Sequence, residues 1–290
     1  MPDSRIPSFS PFIHVVTKVL FSIVSPTCIV LIFGIPLWST VKLYNLLENR
    51  TYSIVSLALL PLVYVFLYMV IAGLISLPAQ RAIVRGKFPR KTDYPIYALR
   101  RVYGLCWACV YYFRPLYQVI LFIPIFKVIL FRLFGYRGST KFSTYPDTWI
   151  RDLPLLDLGE NAYLSNRATI GTNIVLMDGD IYVDSISIGT QSIIGHLSML
   201  APGVKIGEKV QVGVGCAIGM GVVMGSQSDI GPMTTIDHGA LIGNNVRIGT
   251  NCYVGVRSVI GDDIVIPPGS VIPKKSTIQS DIDLQNILKS

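Results

Sequence analysis

Acidic residues are nearly missing from the first half of this 290-residue chain. Residues 1–141 hold 3 Asp/Glu against 16 Lys/Arg, whereas 142–290 hold 14 against 9. The formal net charge of +8 therefore comes from the first half. The second half lacks the basic footprint that nucleic-acid binding requires, which excludes that role. Charge of either sign is missing from Val19–Trp38 and from Tyr52–Pro78. Histidine is scarce, with only His14, His196 and His238, too few and too scattered for a metal site. Five cysteines make no disulfide framework. Cys28, Cys106 and Cys109 lie in apolar segments, and Cys106-Trp-Ala-Cys109 reads as packing thiols in that setting. Cys216 and Cys252 are thirty-six residues apart, too far to bridge in the repeat described next.

Apolar residues recur at every sixth place from Leu158 to Ile272 without a slip, twenty in all, twelve of them isoleucine. With 51% of the chain apolar, chance gives this on the order of once in a million. Glycine follows in thirteen of the twenty cases. A period of six fits neither a 3.6-residue helix nor a hairpin array; it fits a parallel β-helix of hexapeptides. The aliphatic points inward, and the glycine after it suits a backbone turning with φ > 0. A second inward column stands four residues after each aliphatic, with Ser192, Ser198, Val204, Val210, Cys216 and Val222 as its first members. These are small or β-branched, as a narrow interior needs. Three hexads make one eighteen-residue coil, so the run supplies about six coils that stabilise one another by stacking.

Each uncharged run is long enough to cross about 30 Å of hydrocarbon as a helix. The first keeps Pro26 and Pro36 and lacks a small-residue cleavage site, so it is not a signal peptide. A short loop, Ser39–Thr51, is expected between the two spans. Arg81, Arg85, Lys87, Arg90, Lys91, Arg100 and Arg101 follow the second span and place that loop, and the N-terminus, in the cytoplasm. Val102–Phe134 is apolar but broken by Arg114-Pro115, Pro124, Lys127 and Arg132. It is expected as a bent hairpin or as helices at the interface, with Arg114 snorkelling to water. The expected division is a membrane domain over 1–141, a linker and cap over 142–157, a β-helix over 158–275 and a tail over 276–290.

The motif [aliphatic]-Gly-x-x-[small]-x, as in IGHLSM, IGEKVQ, IGMGVV, IGNNVR and IGTNCY, resembles that of the hexapeptide-repeat acyltransferases. The resemblance covers residues 158–272. It implies a left-handed parallel β-helix, preceded here by an α-helical transmembrane domain, and a homotrimer. It also implies acyl-CoA or an acyl-carrier thioester as co-substrate, with no tightly bound cofactor. Thr234-Thr-Ile-Asp-His-Gly-Ala-Leu-Ile-Gly243 is similar to the segment that carries the catalytic histidine in sugar O- and N-acetyltransferases of the sialic-acid and bacillosamine type. The histidine stands four before the aliphatic, as His238 does before Ile242. Those enzymes often have an acid after the histidine. Here Gly239 follows, and Asp237 precedes.

Acyl transfer from a thioester needs a base near the nucleophile and donors for the developing oxyanion. His238 is the leading candidate base, against an ordinary exposed histidine at a subunit interface. His196 is the second, because Asp178 stands one eighteen-residue coil before it, where a carboxylate would neighbour the imidazole unless a bulge in the irregular stretch Met177–Asp184 (MDGDIYVD) breaks the register. The two histidines fall on different edges of the prism. Gly213, Gly215 and Gly255 offer backbone amides to a pantetheine arm. Lys274 and Lys275 resemble the family position that holds CoA phosphates, with a solvated tail as the alternative.

The layout of membrane segments followed by a β-helix opening at Asp152-Leu-Pro-Leu-Leu-Asp-Leu-Gly159 also resembles the C-terminal region of peptide synthetases of the poly-lysine-synthetase type, which implies a carrier protein as a possible partner. The reading is an integral membrane acyltransferase in a bacterial inner membrane, its β-helix cytoplasmic and its acceptor amphiphilic. The alternative is a non-catalytic trimeric scaffold for other membrane enzymes. Few polar residues lie in the spans, which disfavours transport.

Overall fold

A computed structural model describes residues 10–46 and 50–289. The chain divides into two compact units. The first comprises the residues up to Ile83 together with Phe88–Tyr136; the second comprises Val84–Lys87 and everything from Arg137.

Among the described residues, five helices form the first unit: α1 (Pro11–Leu46), α2 (Arg50–Gln80), α3 (Pro95–Tyr112), α4 (Arg114–Phe122) and α5 (Pro124–Leu133). Among the described residues, two helices are long and apolar enough to cross a membrane, or three spans result if the bent pair α3–α4 counts as one. Most of the expected loop Ser39–Thr51 is instead helical, since α1 continues to Leu46 and α2 begins at Arg50. Residues 47–49 of it lie outside the described residues. The charge-free run marks what suits hydrocarbon, whereas the helix itself continues through residues that form helix equally well in water. Lys42 lies four residues after Trp38, with its ammonium 4.9 Å from the ring centroid.

The breaks after α3 and α4 have a common cause. Pro115 and Pro124 stand in the first turns of α4 and α5, where a missing N–H costs nothing. The α3–α4 bend is 81°. Trp107 is buried at the centre of this unit, with ring centroids 5.2 Å from Phe134 and 6.0 Å from Tyr117. Arg114 lies with its guanidinium 5.3 Å over the Tyr111 ring.

The second unit is a parallel β-solenoid of three seven-stranded sheets. The first sheet starts at Ser143–Thr144, the second at Trp149–Ile150 and the third at Leu156–Leu158. Residues 142–157, expected as a linker and cap, thus make most of the first coil. Thr277–Ile278 ends the third sheet, so the expected tail supplies its last strand before the helix α6 (Asp281–Lys289). Ile194 pairs with Val212, eighteen residues on, as three hexads require.

One coil is different. Ile194 pairs backwards with Leu164, thirty residues away, so twelve extra residues lie between. They leave the solenoid as an antiparallel hairpin, Asn173–Val175 against Ile181–Val183. Gly86–Phe88 adds a third strand beside Ile181–Val183. Twelve is twice six, so the sequence period passes through the insertion unbroken. Leu176 and Tyr182 therefore keep the rhythm without joining the buried column, whose other members from Leu158 to Ile272 are buried.

The glycines after the aliphatics are corrected in their reason. Positive φ falls two residues later, as at Gln191, Leu197, Lys209 and Gly215. The earlier glycines are needed because the next coil passes too close. A Cβ on Gly225 would sit 2.6 Å from the Gly243 carbonyl carbon. We expect Gly225→Ala to destabilise the solenoid by about 1–3 kcal/mol by overpacking. Gly34→Ala in α1, where nothing lies within 4 Å, should show no such loss. Thermal unfolding of the two variants checks this. The second inward column is buried, and its hydroxyls are fully engaged. Ser192 Oγ donates to Gly207 O (2.8 Å) and accepts from Val210 N–H (3.0 Å). All five cysteines are free.

Candidate active site

Each sheet ends in a turn, and equivalent turns stack into three edges. The first edge follows the first sheet and carries His196 and Gly213; the second follows the second sheet and carries His238, Gly255 and Lys274. The two histidines are thus on different edges, as the spacing implies.

His238 is held by backbone. Met220 N–H donates to its Nδ1 at 2.9 Å. The step is eighteen residues, one coil. The third edge repeats it: Ser226 Oγ accepts from Glu208 N–H (3.1 Å), Asn244 Oδ1 from Ser226 N–H (2.9 Å) and Asp262 Oδ1 from Asn244 N–H (2.6 Å). A side chain at this place caps the amide of the coil before. His238 fills a place that elsewhere takes Ser, Asn or Asp, so part of its role is structural. Accepting at Nδ1 puts the ring proton of the neutral form on Nε2.

Asp237 completes a cluster. Its Oδ1 accepts from the His238 backbone N–H (2.7 Å) and lies 3.6 Å from His238 Nε2. Its Oδ2 accepts from the Tyr253 hydroxyl (3.0 Å). That hydrogen bond pushes the Tyr253 phenol above its ordinary range. Tyr253 was not singled out by motif. The signal was present, because Tyr253 pairs in register with Thr235, two residues before Asp237.

His196 presents a different picture. Its carbonyl accepts from Gly215 N–H (2.8 Å), and no hydrogen bond or ion pair of its ring occurs among the described residues. Asp178 does not stack on it. The insertion makes this coil thirty residues long, so Asn166 takes that place, its carbonyl accepting from Leu197 N–H (3.3 Å). Asp178 stands instead at the hairpin tip, where the Asp178-Gly179 pair makes the turn with Gly179 at φ 84°. There its carboxylate meets Lys87, which also lies 3.7 Å from Asp180. The Lys87 hydrogen bond holds the Asp178 carboxyl below the usual carboxylate range. A depressed folded-state value means the contribution is present above the unfolded value of about 4 and is lost as pH falls through the folded one. We expect the Asp178 carboxyl to titrate at higher pH in Lys87→Gln than in the wild type, while the Asp180 backbone N–H (3.1 Å) goes on holding it down. NMR titration of the carboxyl carbon checks this; an unchanged midpoint would contradict the pairing.

The glycines divide by geometry. Gly213 lines a shallow groove of about 520 Å³ on the first edge, with Val214, Pro232, Arg247 and Pro268. A Cβ on Gly213 would lie 2.7 Å from Pro232 N, and one on Gly255 would lie 2.5 Å from Lys274 N. Gly215 has φ 68°. Coil stacking and turn conformation account for all three. Lys274 shares the edge of His238, two coils further on, and Lys275 has φ 61°. Both lysines are exposed.

No protein-family profile matches the chain, and no curated protein sequence does. Among solved structures, the chain is similar to GDP-perosamine N-acetyltransferase from Caulobacter crescentus in complex with CoA and GDP-perosamine, at 19% identity over 46% of this chain and 52% of that one, with a TM-score of 0.29. It is similar to the acetyltransferase domain of PglB from Neisseria gonorrhoeae at 15% identity, over 44% and 52% of the two chains, with a TM-score of 0.27. It is similar to LpxA, a UDP-N-acetylglucosamine acyltransferase from Bacteroides fragilis, at 20% identity, over 41% and 51%, with a TM-score of 0.17. The chain spans about half the length of each. At such identities and scores the likeness decides nothing about chemistry, and the solenoid rests on its own strand pairing.

Proposed function

We propose that this chain is a membrane-integral acyltransferase. It moves an acyl or aminoacyl group from a CoA or carrier-protein thioester to a hydroxyl or amine of an amphiphilic or lipid-linked acceptor. His238 is the general base. The observation that carries this reading is the cluster on the second edge, where Asp237 touches both His238 and Tyr253. Acyl transfer requires an oriented imidazole, and a neighbouring carboxylate both orients it and stabilises its charged form. The His238 side chain is 52% exposed, so a substrate reaches it. Among the described residues His196 has neither a carboxylate partner nor a bonded ring. The two apolar helices suit an acceptor that resides in a bilayer, and the basic run from Arg81 to Arg101 suits a cytoplasmic site in a bacterial inner membrane. A homotrimer is the assembly the repeat family suggests.

The test uses membranes bearing the full chain and radiolabelled acetyl-CoA. Label is expected to pass into organic-extractable product in proportion to the chain present. Label that remains in CoA, or moves equally in membranes without the chain, would leave the scaffold reading in its place.

A further inference from the structure

We infer that the inserted hairpin docks on a phospholipid surface through Val175 and Met177, and so holds the edge of His238 beside the bilayer. This rests on the membrane and acyl-transfer reading above. The hairpin is built to be rigid. At its root the fully buried Asp152 accepts from Thr172 Oγ1 (2.5 Å) and Asn173 Nδ2 (3.0 Å). Gly86–Phe88 braces its second strand. All three carboxylates of residues 173–184 face a cation from that side: Lys87 meets Asp178 and Asp180, and Arg85 Nε lies 3.6 Å from Asp184. Gly179 N–H donates to Leu176 O (3.0 Å), which makes Met177 a corner of the turn. Such corners usually take Gly, Pro, Asn, Asp or Ser. Met177 is instead completely exposed, with Val175 and Ile174 exposed beside it. Apolar side chains held rigidly in water, with no part in the core, mark a contact surface.

Chain length and charge select a lipid as the partner. Gly86 follows Gln80, the end of α2, by six residues, so the chain allows at most about 21 Å between them. A bilayer that holds α2 is thus always within reach of the braced hairpin, at high effective concentration. Residues 81–91 carry Arg81, Arg85, Lys87, Arg90 and Lys91 and no acid. Those five cations outnumber the three carboxylates of 173–184, so headgroup phosphates are not repelled. The hairpin also leaves the solenoid at the second edge, directly after the second-sheet strand Thr169–Ile170. Along that edge Gly203 N–H donates to Ser185 O (3.1 Å), Gly221 N–H to Pro202 O (3.0 Å) and Gly239 N–H to Met220 O (2.8 Å). His238 therefore stands three coils from the hairpin root, about 14 Å along the axis. A docked hairpin keeps this edge near the interface, where an amphiphilic acceptor lies.

The experiment places a nitroxide on Met177→Cys in the full chain, reconstituted in nanodiscs of phosphatidylcholine and phosphatidylglycerol. EPR power saturation reads its access to oxygen and to a water-soluble nickel chelate. Wild type taken through the same labelling is the blank, and Glu208→Cys on the third edge is the water reference. The label at 177 should favour oxygen, at a depth of about 5–10 Å, while that at 208 favours nickel. Adding Val175→Asp, a change at an exposed position, should shift the 177 label to nickel access and lower transfer from acetyl-CoA into organic-extractable product. A 177 label as open to nickel as the reference would overturn the docking. So would one shielded from both agents, the mark of a protein contact. Undiminished transfer in the Val175→Asp chain, with its label moved to water, would overturn the link to the second edge. A lipid-embedded label in a chain that transfers no acetyl group would overturn the acyl-transfer reading and leave the docking in place.

Discussion

His238→Ala is expected to lower acetyl-CoA-dependent transfer by about 10²–10⁴-fold, the range that a positioned proton acceptor contributes. The loss should fall on kcat and not on folding. His238 caps one exposed amide, that of Met220, and a hydrogen bond of that kind is worth about 1 kcal/mol. The hexad aliphatics around it stay in place, with Ile236 and Ile242 both buried. The comparison that gives the result meaning is His196→Ala. That ring sits on another edge, and Asp178, the carboxylate expected beside it, is engaged with Lys87 on the hairpin. His196→Ala should leave turnover nearly unchanged. Parallel kinetics of the two variants, with thermal unfolding as a control, decide the matter. The reverse order of effects would move the base to the first edge.

Ile236→Ala is expected to cost about 2–5 kcal/mol, because a fully buried aliphatic leaves a cavity the stacked coils cannot close. Removing the twelve residues 173–184 should cost the solenoid much less. Pairing across that coil runs thirty residues, from Leu164 to Ile194, and the deletion restores the eighteen found at Ile194 and Val212. The deleted segment contributes no member of the buried hexad column. Denaturant unfolding of the two variants should therefore rank them against their size. A twelve-residue deletion more damaging than one Ile→Ala change would mean that the hairpin is part of the core.

The solenoid was legible because its rule is local. An aliphatic every six residues can bury itself in only one way once coils stack, and Ile188 through Ile272 do so. The same rule concealed the hairpin, since an insertion of two hexads leaves the rhythm of Leu176 and Tyr182 intact. The Asp178-Gly179 turn signal inside MDGDIYVD was the counter-sign, and the irregularity of that stretch was visible. The first coil was missed for the opposite reason. Thr144, Ile150 and Leu156 are six apart, but Leu158, where the long series begins, comes only two residues later, so Thr144 pairs with Leu164 twenty residues on and the two runs are out of step. Glycine usage was legible while its cause was not, because sequence shows where a side chain is missing and not what passes close by. At the site, the DH pair was visible and its neighbours were not. Tyr253 reaches Asp237, and Met220 reaches His238, only through the eighteen-residue step between coils.

A structure of the full chain with CoA bound is the most direct measurement. The pantetheine sulfur is expected on the second edge, within about 3.5 Å of the His238 ring, where a reacting group must sit. A sulfur seated in the first-edge groove floored by Gly213 and Pro232, with the His238 ring still on the Met220 amide, would contradict the assignment of His238 as the base.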